Sequence, residues 1–423
     1  MYWVGTMEPF GAEQGIYEDV DVLDPEPDTY KPTELPERED ELSRIHSALR
    51  PITLGGSPRN ILVYGPTGQG KTVGVNLKTE QLQEWADTEG DVTLTVLRVS
   101  CKGAGKSWNV LADLVKQARE ARYDKTVEKP RGPTKVELFE MLSDDLRAIG
   151  GMVIIVLDEI DGIQEDNYVL YELPRASIDG VSIGVIGITN DYQFHENLDA
   201  DIRSSLGSRE VVFSPYNANQ LRDILARRAC RALRDTNFED GIRDSEHLRS
   251  DVISDDAIPL CAALAGQDTG DARQAIHLLS TACDLALDNG SDTVEESHVR
   301  EAREEIQEET IGKGIRGETT QRKIALLTVL EAERAGDAPE GTTELYRRYK
   351  RFTKQIGADT YQQGTFREKL NDLVHGNILE GDRRGRGRGR GMTNMYSLSV
   401  DPDLVIDKVG DDDRLSKITT RLE

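Results

Sequence analysis

The octapeptide Gly65-Pro66-Thr67-Gly68-Gln69-Gly70-Lys71-Thr72 constrains this chain more tightly than any other stretch. It fits the pattern G-x-x-x-x-G-K-[ST] and stands where that chemistry requires. Directly before it, Ile61-Leu62-Val63-Tyr64 has the length and apolarity of a buried strand, and a helical stretch opens at Lys71. Glycines let successive backbone N–H groups turn toward one anionic point, and the helix N-terminus adds partial positive charge. Lys71 is placed to reach the β and γ phosphates of a nucleotide, and the Thr72 hydroxyl to ligate Mg2+. The spacing therefore predicts an α/β core that takes a nucleoside triphosphate with Mg2+.

A companion motif lies downstream. Val153-Ile154-Ile155-Val156-Leu157 places Asp158-Glu159 at the carboxyl end of a second buried strand. Asp158 is expected to hold Mg2+, partly through water, and Glu159 to polarise the attacking water as general base. Further apolar runs over 92–99 and 181–188, with helical stretches between them, predict a parallel sheet. Asn190 ends the last of these runs, beside the phosphates, where its amide can orient the water. Arg273, in Gly270-Asp271-Ala272-Arg273, opens a later helix from which it can reach the γ-phosphate.

From Asn217 the pattern turns helical throughout, which predicts an all-helical lid over 217–311. Gly312, Gly314 and Gly317 crowd one short stretch and mark 312–320 as a linker. Three amphipathic helices and a hairpin then spell a winged helix over 321–400. The flanks, 1–33 and 401–423, are acidic; the first is expected to be a disordered arm and the second a weakly ordered tail.

Charge narrows the partners. The chain of 423 residues carries 77 acidic against 52 basic side chains, a net −25. Its longest strongly apolar run is Val153 to Leu157, far short of the roughly 20 residues of a membrane span, so neither a spanning helix nor a signal peptide is expected, and the protein reads as cytoplasmic. Cys101, Cys230, Cys261 and Cys283 lie far apart with no metal-ligand spacing, which fits inert thiols in a reducing compartment. Arginine outnumbers lysine 36 to 16, and with the acidic excess this suits a salt-adapted cytosol. Residues 318–400 reverse the sign, with 15 basic against 11 acidic side chains. A local reversal on so negative a background points to a polyanion-facing surface. Arg383, Arg384, Arg386, Arg388 and Arg390 alternate with glycine between the expected wing strands, suited to phosphates or a minor groove. The preceding helix is expected to show Gln363, Thr365, Arg367 and Lys369 to base edges. Lys125, Lys129, Arg131 and Lys135 offer a second contact.

In this order the motifs resemble AAA+ ATPases and, more narrowly, the archaeal replication initiators related to origin recognition complex subunit one and cell division control protein six. The residues that carry the likeness are Pro36-Glu37-Arg38-Glu39-Asp40-Glu41-Leu42, Asn60 to Gly65, Asp158-Glu159-Ile160-Asp161, Ile188-Thr189-Asn190, Ser204-Ser205-Leu206 before Val212-Phe213-Ser214-Pro215-Tyr216, and Gly270-Asp271-Ala272-Arg273. It covers about residues 34 to 400, with an AAA+ core over 34–216. The resemblance implies that Asn190 is sensor 1, that Arg273 is sensor 2, and that Arg209, or as second choice Arg203, is a finger on a neighbouring subunit's ATP. It also implies an initiator on double-stranded origin DNA, nucleoid-associated, with other initiator subunits beside it. There ATP binding and slow hydrolysis would switch recruitment of the replicative helicase. Two other readings stay open: an ATP-liganded transcriptional or plasmid-origin regulator without significant catalysis, and a remodelling or clamp-loading machine, which the winged helix and the lack of an aromatic pore loop disfavour.

Overall fold

In β3 (Gly151–Asp158) both alternating sets of side chains are apolar: Val153, Ile155 and Leu157 face one way, Met152, Ile154 and Val156 the other. A strand with two apolar faces must be covered on both. It lies within a five-stranded, all-parallel sheet of order β2-β3-β4-β1-β5, completed by β1 (Ile61–Tyr64), β2 (Leu94–Ser100), β4 (Val181–Thr189) and β5 (Glu210–Val212). On the Ile154 face pack α1 (Glu39–Leu49) and α2 (Lys71–Thr88), through Ile45, Leu49, Val75 and Leu82. On the Val153 face pack α3 (Ser107–Tyr123), α4 (Lys135–Ile149) and the short α5 (Tyr168–Glu172), while α6 (Tyr192–Asn197) and α7 (Ala200–Leu206) link β4 to β5. Tyr64 pairs with Thr189 and Ser100 with Asp158, so the carboxyl ends of β1, β3 and β4 emerge on one edge. Ligands of open parallel sheets bind beyond that edge.

The computed structural model describes residues 15–25, 29–163, 166–207, 209–385 and 392–422, and the chain divides into two units, Met1–Val299 and Arg300–Glu423. The lid belongs to the first unit. It comprises α8 (Ala218–Ala232), α9 (Ala257–Asp268) and α10 (Ala272–Asp288), and is helical as expected, except that β6 (Thr236–Phe238) and β7 (Leu248–Ser250) form a short antiparallel pair after α8. Part of the expected disordered arm is folded on this lid. Ile16, Val22 and Leu23 are buried, the Tyr17 hydroxyl donates to Asp284, and Arg228 donates to the Val22 carbonyl. Three apolar anchors outweigh the acidic composition that argued for disorder.

The expected linker is also revised. α11 (Glu296–Gly317) runs straight through Gly312 and Gly314. Lys313 pairs with Glu309 at 2.8 Å, one turn apart, and the Lys408 side chain packs where a Gly312 Cβ would stand. Glycine here permits close approach rather than ending the helix.

In the second unit α12 (Thr320–Ala335), β8 (Glu340–Gly341), α13 (Thr342–Ile356), α14 (Gln363–His375), β9 (Leu379–Gly385) and β10 (Met392–Leu398) form a winged helix with strand order β8-β10-β9. Tyr349, Phe352, Phe366, Leu370 and Tyr396 fill its core. The acidic tail corrects a third expectation: α15 (Pro402–Gly410), α16 (Ser416–Leu422) and the turn between them bury Val405, Val409, Leu415 and Ile418 against that same core. Among the described residues no helix is long and apolar enough to cross a membrane.

Candidate nucleotide site and nucleic-acid interface

β1 delivers the chain to Gly65, which admits no side chain: its φ is 151°, and a Cβ there would fall 2.1 Å from the Phe213 carbonyl oxygen. The loop closes at Gly70, which begins α2 without a side-chain cap. Lys71 is only 4 % exposed, and its Nζ donates to the Gly65 carbonyl at 2.8 Å and to that of Pro66. Burial pulls its pKa down to about 8, against the pull of nearby Asp158, and the neighbouring Arg273 lowers it further. A buried, undercompensated ammonium among glycine backbone is suited to a phosphate chain. The loop thus fits the nucleotide that the sequence predicts.

The acidic pair meets this loop. The Thr72 hydroxyl donates to Asp158 Oδ2 at 2.8 Å, while the Glu159 amide donates to Asp158 Oδ1 at 2.9 Å. One hydroxyl and one carboxylate, with no cluster of three or more acidic, His or Cys ligands among the described residues, is a donor set for Mg2+ shared with phosphates rather than caged by protein. Glu159 adopts φ 52°, a left-handed conformation costly for a residue with a Cβ, which turns it off the strand end. Lys102 approaches its carboxylate at 3.9 Å from an exposed position. Cys101, Cys261 and Cys283 are buried free thiols and Cys230 is half-buried and free, as expected. Burial, reinforced by Asp158, pushes Cys101 up to about 12.

Asn190 follows β4, next to the residue that pairs with Tyr64, and so beside Gly65. Its turn is held by Thr189, whose hydroxyl donates to Asp161 at 2.7 Å and accepts from the Asp191 amide at 3.0 Å. Arg273 lies exposed in the first turn of α10, where Asp271 caps the helix by accepting from the Arg273 amide at 2.7 Å. The lid touches the loop directly: a Cβ on Gly68 would fall 1.7 Å from Asp271 Oδ1, and the Ala272 amide donates to the Gly68 carbonyl at 3.2 Å. Gly65 to Thr72, Asp158, Glu159, Asn190 and Arg273 therefore converge. Arg209 does not join them. It is exposed just before the edge strand β5, and Arg203 is half-buried on α7; neither pairs with an acidic group among the described residues.

Two further residues are central here: Arg38, which had no assigned role, and Gln69, expected with the rest of the loop to bind nucleotide but with its side chain turned wholly into the protein. Arg38, 3 % exposed, and Gln69, wholly buried, tie the segment before α1 to the loop and to the lid. Any residue fits the motif at position 69, so spacing gave no signal. Arg38 lay in a quoted stretch, but its burial was not readable.

On the winged helix a groove of about 800 Å³ opens between α14 and the wing strands. Gln363, Arg367 and Asn371, spaced i, i+4, i+8, line it together with Thr343, Arg383 and Asn394. Of the other expected contacts, Thr365 is half-buried and Lys369 sits 3.7 Å from Asp372, and both lie outside this lining. Asn371 and Asn394 are both half-buried and are joined through Tyr396, whose hydroxyl donates to Asn371 Oδ1 at 2.9 Å and accepts from Asn394 Nδ2 at 3.3 Å. Arg384 is placed by its backbone pairing with Thr393, while Arg386, Arg388 and Arg390 lie outside the described residues. The second expected contact is weakened: Lys129 pairs with Asp113 at 2.8 Å, Lys135 with Asp166 at 2.9 Å, and Lys125 lies over the Tyr123 ring.

Three family models cover most of this architecture: an AAA domain over 55–190, a Cdc6 AAA+ ATPase-type lid domain over 241–304, and a CDC6 C-terminal winged helix domain over 313–408. ORC1-type DNA replication protein 1 of Haloarcula marismortui is 36 % identical over 97 % of this chain and 96 % of its own length. The chain belongs to the ORC1-type DNA replication proteins. ORC1-type DNA replication protein 10 of Halobacterium salinarum is 34 % identical over 96 % of this chain and 94 % of its own. Among solved structures, the Aeropyrum pernix ORC1 protein in complex with DNA matches with a TM-score of 0.73 and 32 % identity, over 95 % of this chain and 99 % of that one.

Proposed function

We propose that this chain is an ATP-switched replication initiator, which grips double-stranded origin DNA and recruits the replicative helicase while ATP is bound. The observation that carries this reading is the abutment of Gly68 on Asp271, because it puts the phosphate loop and the arginine-bearing end of the lid in contact. Lys71 and the N-terminus of α2 hold the β and γ phosphates. Thr72 and Asp158 are the residues that would hold Mg2+, which neutralises phosphate charge when bound. Glu159 accepts the proton of the attacking water, Asn190 orients that water, and Arg273 binds the γ-phosphate from the lid. The finger arginine, Arg209 or else Arg203, comes from a neighbouring subunit, so an isolated chain turns over slowly.

Support for DNA binding comes from the groove between α14 and the wing, from the charge reversal of residues 318–400, and from the DNA that the Aeropyrum pernix ORC1 structure contains. Gln363, Arg367 and Asn371 read base edges, and Arg383 meets phosphate.

Two substitutions test the nucleotide half. Lys71→Ala is expected to weaken ATP binding by about 100-fold or more, as loss of a buried charge partner does. Glu159→Gln is expected to keep binding while hydrolysis falls by roughly 100-fold or more. Calorimetry and phosphate release measure the two effects, and ordinary turnover by Glu159→Gln would remove Glu159 from its role.

A further inference from the structure

The side chain of Gln69 satisfies its entire hydrogen-bonding capacity inside the protein. Its Nε2 donates to the Thr67 carbonyl at 3.0 Å and to the Gly270 carbonyl at 3.0 Å. Its Oε1 accepts from the Tyr216 amide at 3.1 Å and from Arg38 Nη2 at 3.3 Å. Two donors and two acceptors are all that a glutamine amide has for this orientation, and the reversed orientation would set donor against donor and acceptor against acceptor.

Arg38 is spent in the same knot. Nε donates to the Gln69 carbonyl at 3.2 Å, Nη1 to Glu41 at 2.9 Å and Nη2 to the Ser214 carbonyl, while the guanidinium lies 3.7 Å from the Tyr216 ring centre. The segments so joined are the approach to α1, the phosphate loop, the connection between β5 and α8, and the turn at Gly270 that begins the arginine-bearing helix. Gly270 is fixed from its other side as well: its φ is +66°, its carbonyl accepts from the Tyr216 amide at 3.2 Å, and a Cβ there would fall 2.5 Å from the Tyr216 carbonyl.

We infer that Gln69 and Arg38 are positioning residues that hold the Arg273 end of the lid in register with the phosphate loop, and so set how the site discriminates ATP from ADP. The inference rests on the ATP reading above. Neither side chain needs to touch nucleotide. Lys71 and the loop backbone grip the phosphates common to both nucleotides, whereas Arg273 addresses the phosphate that only ATP carries. Loosening the knot therefore acts on one nucleotide and spares the other.

The test uses the full chain with Mg2+ and compares ATP and ADP dissociation constants for wild type, Arg273→Ala, Gln69→Leu, Arg38→Lys and the double variant Gln69→Leu/Arg273→Ala, with the melting temperature of each. Gln69→Leu removes all four of these side-chain hydrogen bonds and leaves the Thr67 carbonyl without its partner in the knot; it is expected to weaken ATP by about tenfold or more. ADP affinity is expected to change by less than about threefold, and the ATP-to-ADP ratio to reach that of Arg273→Ala. The double variant is expected to add nothing, as for groups that act as one unit. Arg38→Lys, which keeps the charge but loses the planar fork, is expected to shift the ratio the same way, and it carries the test should Gln69→Leu fail to fold. Equal weakening of both nucleotides, or additivity with Arg273→Ala, would overturn the positioning role and leave the ATP reading intact. Wild-type protein that binds neither nucleotide would remove the ATP reading itself.

Discussion

Single residues at the phosphate loop carry opposing demands, and Lys71 shows them most clearly. Burial holds its pKa near 8, below the ordinary lysine value, so between those two values the unfolded chain binds this proton more tightly than the folded one. The cost of burying the charge is fully present below about pH 8 and is relieved as pH rises toward the unfolded value. Nucleotide affinity runs the other way, because phosphates need the ammonium. ATP affinity measured by calorimetry is expected to be level below pH 8 and to fall by up to about tenfold per unit above it; a level profile to pH 10 would contradict the assigned role of Lys71. Gly68 is equally exacting. Gly68→Ala meets Asp271 and a φ of +72° that costs a Cβ of order 1–2 kcal/mol before any clash is counted. It is expected to weaken ATP binding at least about tenfold in the same titration. The motif residues were legible because chemistry fixes their spacing. The roles of Arg38, Thr189 and the Gln69 side chain were not, since they come from burial beside groups far away in the chain.

At the scale of elements, strands and motif-bearing helices were readable because their apolar positions recur with a clean period. Misreadings fell where composition and packing disagree. Gly312 and Gly314 suggested a break, yet α11 continues through both. The segment 401–423 looked too acidic to order, yet Leu415, Ile418 and Leu422 recur three and four residues apart, and α15 and α16 bury them with Val405 and Val409. Ile418→Ala should therefore cost about 2–4 kcal/mol, as for other large-to-small changes in a filled core. Chemical denaturation checks it; an unchanged midpoint would show that α16 does not dock. On α14 the period of the apolar positions was readable, and Phe366, Leu370 and Leu373 are buried. The helix faces the groove with Gln363, Arg367 and Asn371, so Arg367→Ala and Asn371→Ala are expected to weaken duplex binding more than Thr365→Ala or Lys369→Ala in anisotropy titrations.

For the whole molecule, charge distribution says as much as fold. A chain at −25 that keeps residues 318–400 basic has separated solubility from recognition. If the protein works in a salt-rich cytosol, the screening length falls to about 3 Å at 1 M, and phosphate contacts lose affinity steeply with salt. Discrimination must then rest on base edges and DNA shape, and site preference is expected to persist in molar KCl. Lys129 and Lys135, already paired with Asp113 and Asp166, fit such economy of long-range charge. The most direct measurement is footprinting of the full chain on duplex flanking its own gene, in molar KCl, with ATP and Mg2+. A discrete protected site, weakened by Arg367→Ala and altered by Lys71→Ala, is the expected result. Protection of no duplex, or a footprint that Lys71→Ala leaves identical, would contradict a switch that joins nucleotide to DNA in one chain.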